Sequence, residues 1–123
     1  MNIEEFRDYC LEKPGVSEEM PFGPDILVFK VGWKIFALTD INTFASINLK
    51  CDPERAVELR DQFDFIRPGY HMSKKHWNTV LLESGLSNAM LQELIDHSYA
   101  LVYAGLSRLD KLKVLGDYYN SES

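Results

Sequence analysis

One stretch of the chain collects groups able to hold an anion. The run from Arg67 to Val80 carries three cationic side chains, two histidines, a tyrosine and a tryptophan in fourteen residues. No acidic residue falls between Phe65 and Leu82, although the whole chain has 19 acidic residues against 13 Lys and Arg. Arg67, Lys74 and Lys75 could neutralise phosphates, and His71 and His76 would add hydrogen-bond donors. Tyr70 or Trp77 could stack on a base or wedge at a groove. The structural alternative is that both rings are core, Trp77 above all because it sits in an apolar strand, and that the lysines merely solvate a loop.

Other candidate chemistry is thinner. His71 and His76 stand five residues apart across a turn, as two metal ligands could, but no third ligand lies near and a site needs three or four. The adjacent lysines would repel a cation, so no metal is expected. Cys51 precedes a helix start, and helix N-termini lower thiol pKa values, but Asp52 puts a carboxylate at the same terminus and opposes a thiolate. His97 lies at the edge of an apolar helical stripe and reads as a packed or hydrogen-bonded residue. The Pro21 to Asp25 segment has two prolines and a glycine that shape a loop. There is no phosphate-cradling glycine loop, nucleophile elbow, HExxH or carboxylate pair at catalytic spacing. Neither an enzyme nor a cofactor is expected, and no small-molecule ligand.

The bulk properties set bounds on these candidates. A chain of 123 residues with 46% hydrophobic residues is expected to form one domain with a sizeable core. A net charge of −6 opposes indiscriminate attraction to a polyanion, so any nucleic-acid role must live in a local patch. Cys10 and Cys51 have no spacing that demands a bridge and read as reduced thiols. The N-terminus has neither the basic nor the apolar region of a leader, and no apolar run is long enough to span a membrane. The expectation is a cytoplasmic protein with no membrane partner.

The elements that must position the run follow in order. Asn2 caps a helix to about Glu12, ended by Pro14-Gly15. Residues 16–25 read as a connector with a short extended piece around Met20–Phe22. Residues 26–50 read as three antiparallel strands. A type II′ turn at Gly32-Trp33 pairs Phe29 with Phe36 and Leu27 with Leu38 on one face, leaving Val28, Lys30, Ile35 and Ala37 on the other. A second turn lies near Asp40-Ile-Asn42. Asp52-Pro53-Glu54 opens a helix with Ala56, Leu59 and Phe63 inward. Short strands are expected over 63–67 and 76–82, separated by the Pro68-Gly69 turn, with Trp77, Thr79 and Leu81 sharing a face. Ser87 or Asn88 caps the last long helix, whose stripe is Leu91, Leu94, Ile95, Ser98, Leu101 and Val102. A final short helix could carry Leu106, Leu109, Leu112 and Leu115 before a polar tail over 120–123. The order is helix, three strands, helix, two strands, helix: an α+β fold with a mostly antiparallel sheet and helices on one face.

Several segments together resemble the MmcQ/YjbR family. They are Pro21-Phe-Gly-Pro-Asp25, Val28-Phe-Lys-Val-Gly32, Leu49-Lys-Cys-Asp-Pro-Glu54, Leu94-Ile-Asp-His-Ser-Tyr99 and, above all, Pro68-Gly-Tyr-His-Met-Ser-Lys-Lys-His-Trp-Asn-Thr-Val80. Ser73 stands where the family often has Asn, and Trp33 replaces a second Gly in the hairpin turn. The resemblance implies a YjbR-like domain over 1–106, similar in outline to secretion-chaperone-like folds, with residues 107–123 as a C-terminal extension. It implies DNA binding through a proposed double-wing arrangement of hairpins, and no catalytic residues. Carried onto this sequence it points at Tyr70, His71, Met72, Lys74, Lys75, His76 and Trp77. A second reading is a protein-interaction or chaperone-like module. It fits the acidic net charge and a mixed, exposed sheet face bearing Val28, Ile35 and Ala37.

Overall fold

A computed structural model describes residues 1–83 and 85–122, with side chains described as far as Gly116. Ser123, the last residue of the expected polar tail, lies outside the described residues. The elements are α1 (Ile3–Leu11), β1 (Val16–Glu19), β2 (Ile26–Val31), β3 (Lys34–Asp40), β4 (Ser46–Lys50), α2 (Pro53–Gln62), β5 (Ile66–Pro68), β6 (Trp77–Leu81), α3 (Asn88–Ala104) and α4 (Arg108–Glu122). The fold is α+β. Its six strands form one antiparallel sheet in the order β1-β2-β3-β4-β6-β5.

Local chemistry starts the helices where the sequence places them. The Asn2 side chain accepts from the Glu5 amide at 2.8 Å, and the Glu5 carboxylate accepts from the Asn2 amide at 3.0 Å, a reciprocal cap on α1. Asp52 caps α2 through the Arg55 amide with Pro53 at the first helical position, and Ser87 caps α3 through the Met90 amide. One face of the sheet then receives the helices. Leu27, Phe29 and Val31 of β2, Phe36 and Ala37 of β3, Ile47 and Leu49 of β4, Ile66 of β5 and Val80 of β6 join a single buried cluster. Phe6 of α1, Ala56 and Leu59 of α2, Leu91, Leu94, Ile95 and Val102 of α3, and Val114 of α4 complete it.

The β2–β3 hairpin differs from the expected one in two ways. The turn is at Gly32-Trp33, but both residues have positive φ, 55° and 72°, the type I′ geometry rather than II′. Near the turn Val31 faces Lys34 and Lys30 faces Ile35, in the expected register. A β-bulge then shifts the pairing by one, so Phe29 faces Ala37, Val28 faces Leu38 and Leu27 faces Thr39. Ala37 therefore enters the helix-covered core, and Val28 is fully buried as well. Of the three residues expected on an exposed mixed face, only Ile35 retains exposure. The bulge also puts Ile35 and Leu38 on one side of β3, where unbroken alternation would have opposed them.

The extra residue at the bulge, Phe36, leaves a carbonyl that α3 satisfies. The hydroxyl of fully buried Ser98 donates to the Phe36 carbonyl at 2.5 Å and accepts from the Lys50 amide at 2.9 Å. One side chain so ties α3 to β3 and β4.

Three other segments depart from expectation. Val16–Glu19 is a strand rather than connector; it pairs with β2 alone, so three of its four residues need not be apolar. The strand expected over 63–67 lies later, at Ile66–Pro68, so that Pro68 ends the strand instead of opening the turn, and Phe63 caps α2. The final helix, expected to be short and followed by a polar tail, runs Arg108–Glu122; on it Leu109, Leu112 and Leu115 face outward, while Val114, and Leu106 just before the helix, are buried against glycines. A Cβ on Gly32 would lie 2.5 Å from the Leu106 side chain, and one on Gly15 2.5 Å from that of Val114, so these two glycines admit the C-terminal segment.

Two predictions follow from the hairpin. Ser98→Ala should lower the free energy of unfolding by about 2–3 kcal/mol, since it strands a buried carbonyl and a partly buried amide; urea denaturation checks this. Trp33→Gly should raise it by about 1 kcal/mol, because Trp33 is 81% exposed and its left-handed backbone suits glycine. An unchanged or lower midpoint would contradict the strain argument.

Candidate functional site

The segment between β5 and β6 carries the basic run, and the sheet holds it at both ends. The Gly69 amide donates to the Trp77 carbonyl at 2.9 Å, and the Trp77 amide to the Ser73 carbonyl at 2.9 Å. A Cβ on Gly69 would lie 2.8 Å from the Trp77 Cβ, so the loop closes only over a glycine. The Tyr70 amide donates to Thr79 Oγ1 at 3.0 Å, and that hydroxyl donates to Asn48 Oδ1 at 2.5 Å. From the other side Arg60 of α2 reaches in. Its Nε donates to Asn78 Oδ1 at 2.8 Å, and its Nη2 donates to the Lys74 carbonyl.

Each residue singled out in the sequence can now be placed. Arg67, Tyr70, His71, Lys74, Lys75 and His76 are all exposed, Tyr70 by 70%. The His71 backbone sits in the left-handed region at φ 56°, and its ring lies 4.0 Å from that of Tyr70. Arg67 donates to the Asp64 carbonyl at 2.9 Å and Lys74 to the Gly69 carbonyl at 3.5 Å, both backbone acceptors. The ion pairs among the described residues are Arg7–Glu18, Lys13–Asp96, Lys30–Glu19 and Arg55–Glu93, and none uses a cation of the loop. Trp77 is half-buried and stands apart from the core cluster. It faces Lys50 across the β4–β6 ladder on the side of the sheet away from the helices.

That open side also holds a groove. Successive pairings set Val28, Leu38, Asn48, Thr79 and Arg67 in one row across the sheet. Ile26, Ile35, Leu38 and Asn48 form the groove's floor, and Phe22, Tyr70, His71 and Met72 rise at its sides. Its volume is about 460 Å³. No sequence pattern announces it, because its floor depends on the bulge. Arg60 is likewise unannounced by the sequence, since nothing local shows that a guanidinium on α2 will meet a carbonyl fourteen residues on.

The remaining titratable candidates have structural surroundings. Burial pushes the Cys10 thiol up to about 12 and raises the Cys51 thiol, the latter against the opposing pull of Arg55. Both are free and buried, so neither is poised as a thiolate. His97 Nε2 accepts from the Asp52 amide at 3.2 Å, at the start of α2. Burial first, and then the nearby Arg55 guanidinium, lower its pKa. Among the described residues no three His, Cys, Asp or Glu side chains gather as a metal site. No helix is long and apolar enough to cross a membrane among those residues.

Comparison with known proteins matches this arrangement to a family. The model of the YjbR family matches residues 11–101, three quarters of the chain. The chain belongs to the YjbR family. Among YjbR relatives, the uncharacterized protein YbdF of Escherichia coli O157:H7 is 42% identical over 106 residues, covering 85% of this chain and 87% of YbdF. The uncharacterized protein YjbR of Escherichia coli K12 is 34% identical over 100 residues, covering 80% of this chain and 85% of its own. Among solved structures, the Deinococcus radiodurans protein DR2400 superposes with a TM-score of 0.85 at 39% identity, covering 92% of this chain and 87% of that one. A Pseudomonas syringae protein superposes with a TM-score of 0.71 at 34% identity, covering 83% of this chain and 99% of that one. The loop and the groove both lie within the matched residues of the YjbR model, whereas α4 follows them.

The His97 environment gives a pH prediction for this YjbR domain. Its pKa is lower folded than unfolded, so the unfolded chain takes the proton first. The stability it contributes is complete above the ordinary histidine value, about 6.5, and is lost as pH falls through that value towards the lower folded one. The free energy of unfolding should drop between pH 7 and 5, and His97→Gln should flatten that part of the profile. Parallel profiles in parent and variant would remove His97 as the source.

Proposed function

We propose that this YjbR domain binds nucleic acid, DNA in the first instance, through the 67–77 segment. The observation that supports the reading is the set of cations at Arg67, Lys74 and Lys75, all exposed and free of carboxylate partners among the described residues. Elsewhere in the same acidic chain, Arg7, Lys13, Lys30 and Arg55 are each paired. The loop's ammonium and guanidinium groups have thus not spent their charge internally, and phosphates could take it up. Tyr70 adds an outward ring on which a base could stack. Trp77, half-buried on the open side, would act mainly by holding the loop's far end.

The segment is also pre-shaped. Thr79, Arg60 and the Gly69–Trp77 contact fix its path before any partner arrives, which lowers the ordering cost of binding. Residue roles follow from chemistry. Lys74 and Lys75 act as point charges, Arg67 as a planar donor, and His71 and His76 as hydrogen-bond donors. Two buried free thiols are in keeping with a reducing cytoplasm. No catalytic step is part of the reading.

A salt-titrated binding measurement against duplex and single-stranded DNA tests it. Affinity should fall linearly on a log–log plot with salt, and Lys74→Glu with Lys75→Glu should reduce the slope by about 2. The melting temperature should stay nearly constant, because both side chains are exposed and without a carboxylate partner among the described residues, and the Lys74 contact to the Gly69 carbonyl is long at 3.5 Å. If the double variant binds as the parent does, the proposal fails.

A further inference from the structure

The groove on the open side of the sheet has a lining of different chemistry from the cationic loop, largely apolar. We propose that it is a binding site for a small apolar molecule that ends in one hydrogen-bond-accepting oxygen, a carbonyl or a carboxylate. The inference stands apart from the nucleic-acid reading, although Tyr70 and His71 border both.

Three observations carry it. The first is shape. At about 460 Å³, walled by the 20–25 loop on one side and the 69–73 segment on the other, the groove has the size and concavity of a ligand cleft. The second is lining. Ile26, Ile35, Leu38 and Met72 present aliphatic or thioether surface, with Phe22 and Tyr70 as rings at the edge. Phe22 is 64% exposed, an apolar side chain left largely in water that an occupant would cover.

The third observation is a fixed donor. Asn48 lies in the floor with its Oδ1 taken by the Thr79 hydroxyl at 2.5 Å. Its Nδ2 therefore keeps two N–H groups with no protein acceptor among the described residues. That amide, its orientation set by a neighbour, opens into the groove and offers its N–H groups to an acceptor on whatever fills it. His71 lines the same space and offers a second polar contact.

A broad macromolecular partner fits less well. The same sheet face turns polar beyond the groove, at Lys30 bound to Glu19, at Ser46 and at Lys50. A stable protein interface takes about 800 Å² from each partner, and its buried core is largely apolar. Here the apolar surface stops at the edges of a cleft sized for a small molecule.

The test is NMR titration of the labelled full chain with hexanoate, octanoate, decanoate and decanamide. Shifts should concentrate on the methyl groups of Ile26, Ile35, Leu38 and Met72 and on the Asn48 side-chain amide. Affinity for the carboxylates should tighten about fourfold per added methylene. Asn48→Asp retains an acceptor for Thr79 but removes the donor. It should weaken decanoate at least tenfold and spare decanamide, whose own N–H groups can donate to the new carboxylate. In the parent, tighter decanoate than decanamide assigns the site to acids, and equal binding assigns it to neutral carbonyl compounds. Met72→Glu, a change in the loop wall, should abolish binding of the whole series. Shifts centred elsewhere, affinity indifferent to chain length, or full decanoate binding by Asn48→Asp would each overturn the proposal. So would groove signals that move with protein concentration before any probe is added, since the groove would then be a contact between copies.

Discussion

The bulge in β3 is held by one hydroxyl, that of Ser98 on α3. An extra residue in an antiparallel pair leaves backbone groups without a ladder partner, and a buried carbonyl left so is costly. The Ser98 hydroxyl takes the Phe36 carbonyl and, with its lone pair, the Lys50 amide. One oxygen thereby stabilises the irregularity, seats α3 on the centre of the sheet and orients two neighbouring strands. What the bulge then achieves is on the opposite side. It puts Ile35 and Leu38 on a common face and so floors the groove, while Phe36 and Ala37 both enter the core. The helix-covered side and the open side are thus governed by the same local departure from alternation.

Much of the fold was legible because its causes are local. Asn2, Asp52 and Ser87 each announce a helix start through short-range hydrogen bonds, and each cap is present. The order of helices and strands, the antiparallel sheet and the turn at Gly32-Trp33 follow from periodicity and turn chemistry. The errors have long-range causes. The bulge that shifts the register is tied to Ser98, sixty-two residues from Phe36, and no pattern within the hairpin encodes that distance. β1 escaped notice because an edge strand packed on one side needs few apolar residues. The leucines expected on a final helix did not mark its contact with the domain: Leu109, Leu112 and Leu115 are exposed, and Val114 is the residue that meets Gly15.

The candidate site divides along the same line. Its cationic residues were evident from composition alone, as a basic island in an acidic chain. Their exposure was not, since a tyrosine and a tryptophan in such a run could equally have been interior. The structure turns Tyr70 outward and leaves Trp77 partly covered, an asymmetry that the alternation of β6 could not supply for a residue in the loop. The supporting shell was less visible still. Arg60, Thr79 and Asn48 come from three different elements and brace the loop from two sides, Arg60 through Asn78 and the Lys74 carbonyl, Thr79 and Asn48 through the Tyr70 amide. A loop anchored in this way is a platform rather than a flexible arm.

The two margins of the sheet have a further consequence. At one end β1 presents Ser17, Glu18 and Glu19, with the glutamates engaged by Arg7 and Lys30; at the other, the three-residue β5 ends in Pro68. Acidic side chains discourage a foreign strand at the first margin, and a short run lacking one amide donor offers little purchase at the second. Growth of the sheet from molecule to molecule, the route to fibrils and to swapped strands, is blunted at both ends. Contacts with other molecules are thereby directed to the loops and faces of the fold instead of its exposed backbone.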